Sequence, residues 1–509
     1  MMLYSRRCLY FRFSFLPNLV FRLIRICTVI MFSLLVGIVS SNLIAGRVEA
    51  LQDQSYGWTY NIGGAGSDPA MTVEFDTNGN IIHGGSFSTN PLDFDPTAGT
   101  DMHSVIVGGR DCVVSKLGGD GSYYWTRTWG CTTGDCNVWN VNTDSANNVY
   151  IAGAFWTDDV DFDGTSGVDI HSGSGGYDVS LVKYDMNGSY VWTVTFGGTA
   201  WDQAWDAVVD SDSDVILSGH FESLNVDFDP SGNTALHSSA GSTDIFVVKY
   251  DSDGDYLWSH SLGGTSGDKG YSIKVDNNDN VYLVGYFSGT NIDFDPSAGT
   301  ELRSSNGGTD AFITKYDSNG NFQWVKTWGS TEDDRAYGLS IFDNKYLYVT
   351  GRFSGTNVDF DPGSSQDLHS SNGSADIFVS RYSTGGDYGW TETIGGTGSE
   401  IAFRSEPDKF GNVFMSGRYI HNGYTKIVLS KIFANGSEAW SYIIGADNGS
   451  TYSHDVSARA NGEIAIAGWF ASTNVDFDIT TGTDIHSNPY VPSENIFVSK
   501  YIRTTTGSE

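Results

Sequence analysis

Seven tryptophans, Trp58, Trp125, Trp192, Trp258, Trp324, Trp390 and Trp440, each lead into a glycine-bearing stretch such as "YVWTVTFGG" or "YLWSHSLGG", at spacings of 67, 67, 66, 66, 66 and 50 residues. A long period repeated seven times restricts this chain of 509 residues to a solenoid or a propeller rather than separate domains. Within the unit at 270–329, four β-rich runs appear: "GYSIKVD", "NVYLVGYFSG", "DAFITKYD" and "NFQWVKTWG". The first two are joined through "DNNDN" and the last two through "DSNGN", where Asn, Asp and Gly tolerate the positive φ of tight hairpins. One unit therefore reads as a four-stranded antiparallel blade.

Counting strands predicts how the ring closes. Innermost-type runs begin near Met71, Val138, Trp205, Tyr271, Tyr337, Phe403 and Asp455, and the last unit stops at "IFVSKY", 496–501, without its Trp strand. The stretch "YGWTYNIGG", 56–64, has no strands before it and is expected to complete the C-terminal blade. The expectation is an all-β, seven-bladed β-propeller over 51–502 with a short polar tail at 503–509, closed so that no blade keeps an unpaired edge.

Ahead of the repeats, residues 1–25 carry Arg6, Arg7, Arg12, Arg22 and Arg25 with no acid, and Ile26–Gly46 is uncharged and mostly apolar. Val48-Glu49-Ala50 then offers a cleavage-like site, so 1–50 reads as an export signal, the alternative being an uncleaved membrane anchor. A secreted or cell-surface location follows. The net charge is −33, and without that segment 22 basic residues face 60 acidic ones. Such a balance excludes nucleic acid as a partner and opposes docking on an anionic membrane, leaving an extracellular protein or glycan. Cys131 and Cys136 are spaced to close a small disulfide or to stand as free thiols, with Cys112 left in a strand; no ligand spacing recommends zinc.

The pattern Asp244-Ile-Phe-Val-Val-Lys249-Tyr250-Asp251-x-x-Gly254-x-x-x-Trp258, followed by Gly263-Gly264, Asp268, Asp276 and "NVYLVGYF", resembles the SBBP-type β-propeller repeat of bacterial exported and surface proteins. The resemblance covers residues 52–502 and implies a seven-bladed propeller without bringing catalytic or ligand residues. Asp-x-x-Gly-x-x-x-Trp is also similar to the tryptophan-docking repeats of quinoprotein dehydrogenases, but their Thr is absent, and the shared Trp reads as interblade packing. Blade six has the plain repeat length, and the other six blades carry an insertion containing Asp-Phe-Asp.

Those insertions supply Asp93/Asp95, Asp161/Asp163, Asp227/Asp229, Asp293/Asp295, Asp359/Asp361 and Asp476/Asp478. In extended chain Val226 and Phe228 face the core while Asp227 and Asp229 face outward, so the oxygens suit either Ca²⁺ ligation or a turn that binds its own amides. Ten residues after each Trp come Asp68, Asp135, Asp202, Asp268, Asp334, Glu400 and Ser450, each leading into an inner strand. These six carboxylates are expected at the channel mouth, either bonded to backbone amides or facing a cation, and the insertions are expected as raised hairpins on the same face. His103, His171, His237, His369 and His486, with Arg303 in their place in blade four, read as hydrogen-bonding polar residues rather than metal ligands. Ser/His/Asp order and G-x-S-x-G are absent.

A single site on a repetitive ring needs residues that break the repeat. In blade six "HNGYTK", 421–426, replaces the insertion, and the resulting gap is expected to gather Arg404, Arg418, Tyr424 and Trp469 as a ligand-binding cleft. The sequence thus points to an exported interaction or ligand-binding module with Ca²⁺ as the one candidate ion. A carbohydrate-active hydrolase or lyase on the acidic face, or a plain surface scaffold, are the alternatives.

Overall fold

The computed structural model describes residues 54–504 apart from 107, 108, 157, 158 and 298. Residues 1–50, expected as an export signal or an uncleaved anchor, and most of the polar tail lie outside the described residues. All regular structure among the described residues is β, arranged as seven four-stranded antiparallel sheets and six two-stranded hairpins. Blade four shows the pattern: inner strand Lys269–Val275, second strand Val281–Phe287, third strand Asp310–Tyr316 and outer strand Phe322–Trp328. Blade one begins at Ala70 and blade seven at Ser450.

The ring closes as the strand count requires. Outer strand Gln54–Ile62 pairs antiparallel with Asn495–Arg503, from Gln54 opposite Arg503 to Ile62 opposite Ile496, and so completes blade seven. Second and third strands are covered on both sides and almost wholly buried, which is why they read as apolar runs rather than as alternating ones.

The repeating Trp and Gly are one device. Trp192 of an outer strand packs on Gly254 in the tight turn of the next blade, and its indole N–H donates to the Ser252 carbonyl at 3.1 Å. Gly254 has φ +89° and a Cβ there would lie 3.3 Å from the indole, so backbone shape and packing both require glycine. Trp125 and Trp390 make the same bond to Met186 and Ala434.

The Asp-Phe-Asp insertions are two-stranded hairpins, Ile292–Asp293 with Leu302–Arg303 in blade four. They do not rise from the face that holds the channel-mouth carboxylates. Sheets in a propeller diverge with distance from the axis, and the hairpins fold back into the widening wedges between outer strands. Phe162 of blade two lies against Trp129 of blade one's outer strand and in one cluster with Tyr184 of its own third strand; Phe228 meets Phe196 in the same way. Tyr184, Tyr250, Tyr316, Tyr382 and Tyr501, at the far ends of the third strands, donate to the carbonyls of hairpin residues Phe162, Phe228, Phe294, Phe360 and Phe477. All five phenylalanines, and Phe94, are fully buried. The expectation of eighteen carboxylates on one face is thereby corrected, because burying the aromatic anchor draws each hairpin down the rim.

Blade six lacks a hairpin to fill its wedge. Its second and third strands, Val413–His421 and Tyr424–Ile432, instead run on into a two-residue turn at Asn422 (φ 53°) and Gly423 (φ 80°). Ile62, Trp129, Phe196, Leu262, Trp328 and Ile444 end the other outer strands buried, whereas Ile394, facing the cleft without a hairpin, is half-buried.

Candidate functional site

The repeated carboxylates serve the backbone. In each hairpin the first Asp accepts two neck amides through Oδ1: Asp293 takes the N–H of Asp295 at 3.1 Å and of Glu301 at 2.8 Å. Asp93, Asp161, Asp227, Asp359 and Asp476 repeat the arrangement. The second Asp caps the turn that follows, as Asp95 does with Thr97, Asp163 with Thr165, Asp229 with Ser231, Asp295 with Ser297, Asp361 with Gly363 and Asp478 with Thr480. Among the described residues, no group of three or more His, Cys, Asp and Glu is placed to hold a metal ion. The hairpin histidines pack perpendicular to the buried Phe, as His103 does on Phe94 at 5.6 Å, and four of them, His103, His171, His237 and His486, bond to the outer strand, as His171 does to Thr195 Oγ1 at 2.8 Å.

At the inner-strand starts, Asp268 accepts the Gly264 N–H at 2.9 Å and the Ser288 N–H at 2.7 Å, tying the incoming connection to the second strand. Asp68, Asp202 and Asp334 do the same, and Glu400 accepts Gly396. Asp135 departs, bonding Arg110 at 3.2 Å beside a Cys131–Cys136 disulfide that staples its connection, while Cys112 is a buried free thiol.

A second acid, at the start of the preceding third strand, faces several of these. Asp178 faces Asp202, Asp244 faces Asp268, and Asp310 faces Asp334. Burial first, then the neighbouring carboxylate, pushes Asp178 and Asp310 up to about 7. Burial likewise brings Asp244 and Asp334 to about 6, and burial with the Asp244 charge brings Asp268 there. Oδ1 of Asp178 and of Asp244 is buried without a hydrogen-bond partner, as a protonated carboxyl would allow. Blade seven has Asn495 at this position, a neutral isostere of that acid.

The channel itself is shut by aromatics and one arginine. Every inner strand carries a bulge, and the bulged residues are Met71, Trp139, Trp205, Tyr271, Tyr337, Phe403 and His454. Rings follow one another around the axis: Trp139 to Trp205 at 4.5 Å, Trp205 to Tyr271 at 5.2 Å, Tyr271 to Tyr337 at 4.8 Å, Tyr337 to Phe403 at 5.9 Å and Phe403 to His454 at 5.2 Å. Arg404 donates to the bulge carbonyls of Trp205, Tyr271 and Tyr337 at 3.1–3.2 Å and pairs with Asp206 at 3.4 Å. Arg404 also lines a cavity of about 20 Å³, together with Glu74, Lys274, Glu406 and Asp455. Burial and the Glu406 charge raise Glu74 to about 8, and burial raises Glu406 to about 7.

Of the four residues expected around blade six, the structure brings two together. Trp469 stacks on Tyr452 at 5.1 Å with planes 7° apart, and Arg418 donates to the Tyr452 hydroxyl at 3.2 Å and to the Ser399 carbonyl at 3.0 Å. Arg404 lies in the channel, and Tyr424 stands at the hairpin tip, 38% exposed.

The decisive pattern appears when the paired positions just before the bulge are read around the ring. They are Pro69/Ser86, Asn137/Ala154, Gln203/His220, Lys269/Tyr286, Arg335/Arg352, Ile401/Arg418 and Tyr452/Trp469. Four are basic and none is acidic, and all four bases lie on blades four to six. Arg335 covers the Tyr286 ring at 4.5 Å and bonds Asp333 at 2.9 Å; Lys269 lies 3.4 Å from His220. The Nε of Arg352 and of Arg418 is buried with no acceptor among the described residues. The arc is hidden in the sequence because the bulge shifts register inside each inner strand, although the aromatic column at Trp139, Trp205, Tyr271, Tyr337 and Phe403 marks the equivalent position.

No protein-family model matches the chain. Among curated proteins it is similar to an uncharacterized WD repeat-containing protein, L264, of Acanthamoeba polyphaga mimivirus, 30% identical over 247 residues, covering 43% of this chain and 18% of that protein. It is also similar to regulatory protein FlaEY of Caulobacter vibrioides, 34% identical over 112 residues, covering 22% of this chain and 12% of that one. The chain thus matches less than a fifth of the length of either relative. Similar solved structures include a Dyadobacter fermentans protein of unknown function (10% identity, TM-score 0.42, 89% of this chain and 100% of that one). Polysaccharide lyase Uly1 is another (9% identity, TM-score 0.41, 90% and 94%). Likeness at that level carries no argument about function.

Proposed function

We propose that the protein is an exported, SBBP-type propeller that acts as a ligand-binding module, with its site on the arc of bases and aromatics around the channel mouth of blades four to seven. The observation that carries this is the run of positions with four bases and no acid, in a chain of net charge −33. Asp333 bonds Arg335 directly, and holding the remaining like charges together costs free energy unless an anion or an electron-rich partner offsets it. The half-buried Trp469 and Tyr452 pair adds a flat apolar platform of the kind used for sugars and peptides. The Cys131–Cys136 bond supports an oxidising location.

The test is a screen of the purified protein against arrays of glycans and extracellular proteins, repeated with Trp469→Ala and Tyr452→Ala. The expected result is a saturable binder weakened at least tenfold by either substitution. Binding indifferent to both would overturn the reading, and turnover abolished by one carboxylate substitution would replace it with the hydrolase or lyase alternative.

A further inference from the structure

Resting on the reading just given, we infer that a cavity on blade five is the subsite for a carboxylate-bearing sugar, held by Arg352, so that the ligand class is an acidic, uronate-type oligosaccharide. The cavity has a volume of about 660 Å³, within the range of about 300–1,000 Å³ typical of small-molecule sites. Its walls are hydroxyls and backbone, including Thr356, Ser371 and Ser374, with Arg352 as its one base and Glu332 and Asp333 as its acids.

Asp333 is already committed. It accepts Arg335 Nη2 at 2.9 Å and the Thr309 amide and hydroxyl at 3.1 Å, and lies 3.8 Å from Arg352 Nη2, beyond hydrogen-bond reach. Arg352, whose side chain is 20% exposed, lines the cavity, pairs with Asp333 only at that longer distance, and keeps its Nε buried without an acceptor among the described residues, which leaves its Nη atoms to meet a ligand. The Nη pair of a guanidinium matches a carboxylate bidentately, and beside the hydroxyls of Thr356, Ser371 and Ser374 the carboxylate is best carried on a sugar ring.

The wall also leads toward the rest of the arc. Ser374 N–H donates to the Gly398 carbonyl at 2.9 Å, and the adjacent Ser399 carbonyl accepts Arg418, which touches Tyr452 beneath Trp469. A chain of sugars running from Arg352 past Arg418 would end on an aromatic platform. Charges beyond about 8 Å are largely screened at physiological ionic strength, and of the two acids in the wall Asp333 is bonded to Arg335, so Glu332 is the acid that the ligand must avoid.

Calorimetric titration with tri-galacturonic acid, its methyl ester and poly-glutamate, on the wild type and on Arg352→Gln and Arg352→Lys, tests the inference. The acid should bind at least about tenfold tighter than the ester, Arg352→Gln should erase that difference, and Arg352→Lys should restore part of it, with melting temperatures unchanged. Equal binding of acid and ester, a preference that survives Arg352→Gln, or equal binding of poly-glutamate would overturn it. If neither sugar binds while a Trp469-dependent protein binder emerges from the arrays, this inference falls and the broader reading stands. If no mouth-dependent binder of any kind is found, both fall.

Discussion

The rim clefts and the channel mouth of this ring use charge in opposite ways. At the rim the same carboxylate recurs in six blades and is spent on its own hairpin's amides, as Asp293 shows with Asp295 and Glu301. At the mouth the bases occur on three blades only, and two guanidinia keep an Nε without an acceptor. The difference teaches that in a repeat protein the conspicuous motif reports how a unit is built, while a site is better sought where equivalent positions stop agreeing.

The largest effect that would test this contrast is at the wedges. Phe294→Ala, removing a fully buried anchor, should cost about 3–5 kcal/mol in urea unfolding, whereas Arg352→Ala should change stability by no more than about 0.5 kcal/mol. A reversed order would break the comparison. Next, Asp268→Ala should cost about 2 kcal/mol, because it strands the amides of Gly264 and Ser288; an unfolding midpoint equal to wild type would show that these amides find other partners.

A smaller effect comes from pH. Asp178 and Asp310 titrate near 7 in the folded protein, and Asp244, Asp268 and Asp334 near 6, all above the unfolded range. The folded state therefore holds more protons between about pH 4 and 7, and the stability these groups contribute is complete below that window and lost as pH rises through it. Melting temperature should fall by several degrees from pH 5 to pH 8, and Asp178→Asn with Asp310→Asn should flatten that slope, since Asn495 already fills the equivalent position in blade seven. An unaltered slope in the double variant would sharpen the assignment toward other acids. Smallest of all, exchanging calcium for a chelator should leave the melting temperature unchanged, because the hairpin Oδ1 atoms are already occupied by amides; a rise of several degrees with calcium would give the rim a binding role.

The fold was legible to the level of strands and closure. The Trp spacing gave the blades, and the orphan strand at Gln54–Ile62 gave the seam. Where the hairpins went was not legible, since local alternation correctly buries Phe228 but does not say against which neighbour, and that neighbour, Phe196, lies in the preceding blade. The site was half legible. Broken symmetry in the sequence marks Arg418 and Trp469, yet it marks Arg404 with them although that side chain bonds to carbonyls in the channel, and it does not mark Tyr452, Arg335, Arg352 or Lys269, whose equivalence depends on register across the bulge.

The central claim is that the unrepeated bases, rather than the repeated acids, form the binding surface. The most direct measurement is the dissociation constant of the tightest binder from the array screen, taken on Arg352→Gln/Arg418→Gln and on Asp293→Asn/Asp359→Asn. The account predicts a loss of roughly a hundredfold in the first variant, as expected for two charge-assisted contacts, and no change in the second. Full affinity in the arginine variant, with binding lost in the aspartate variant, would contradict it.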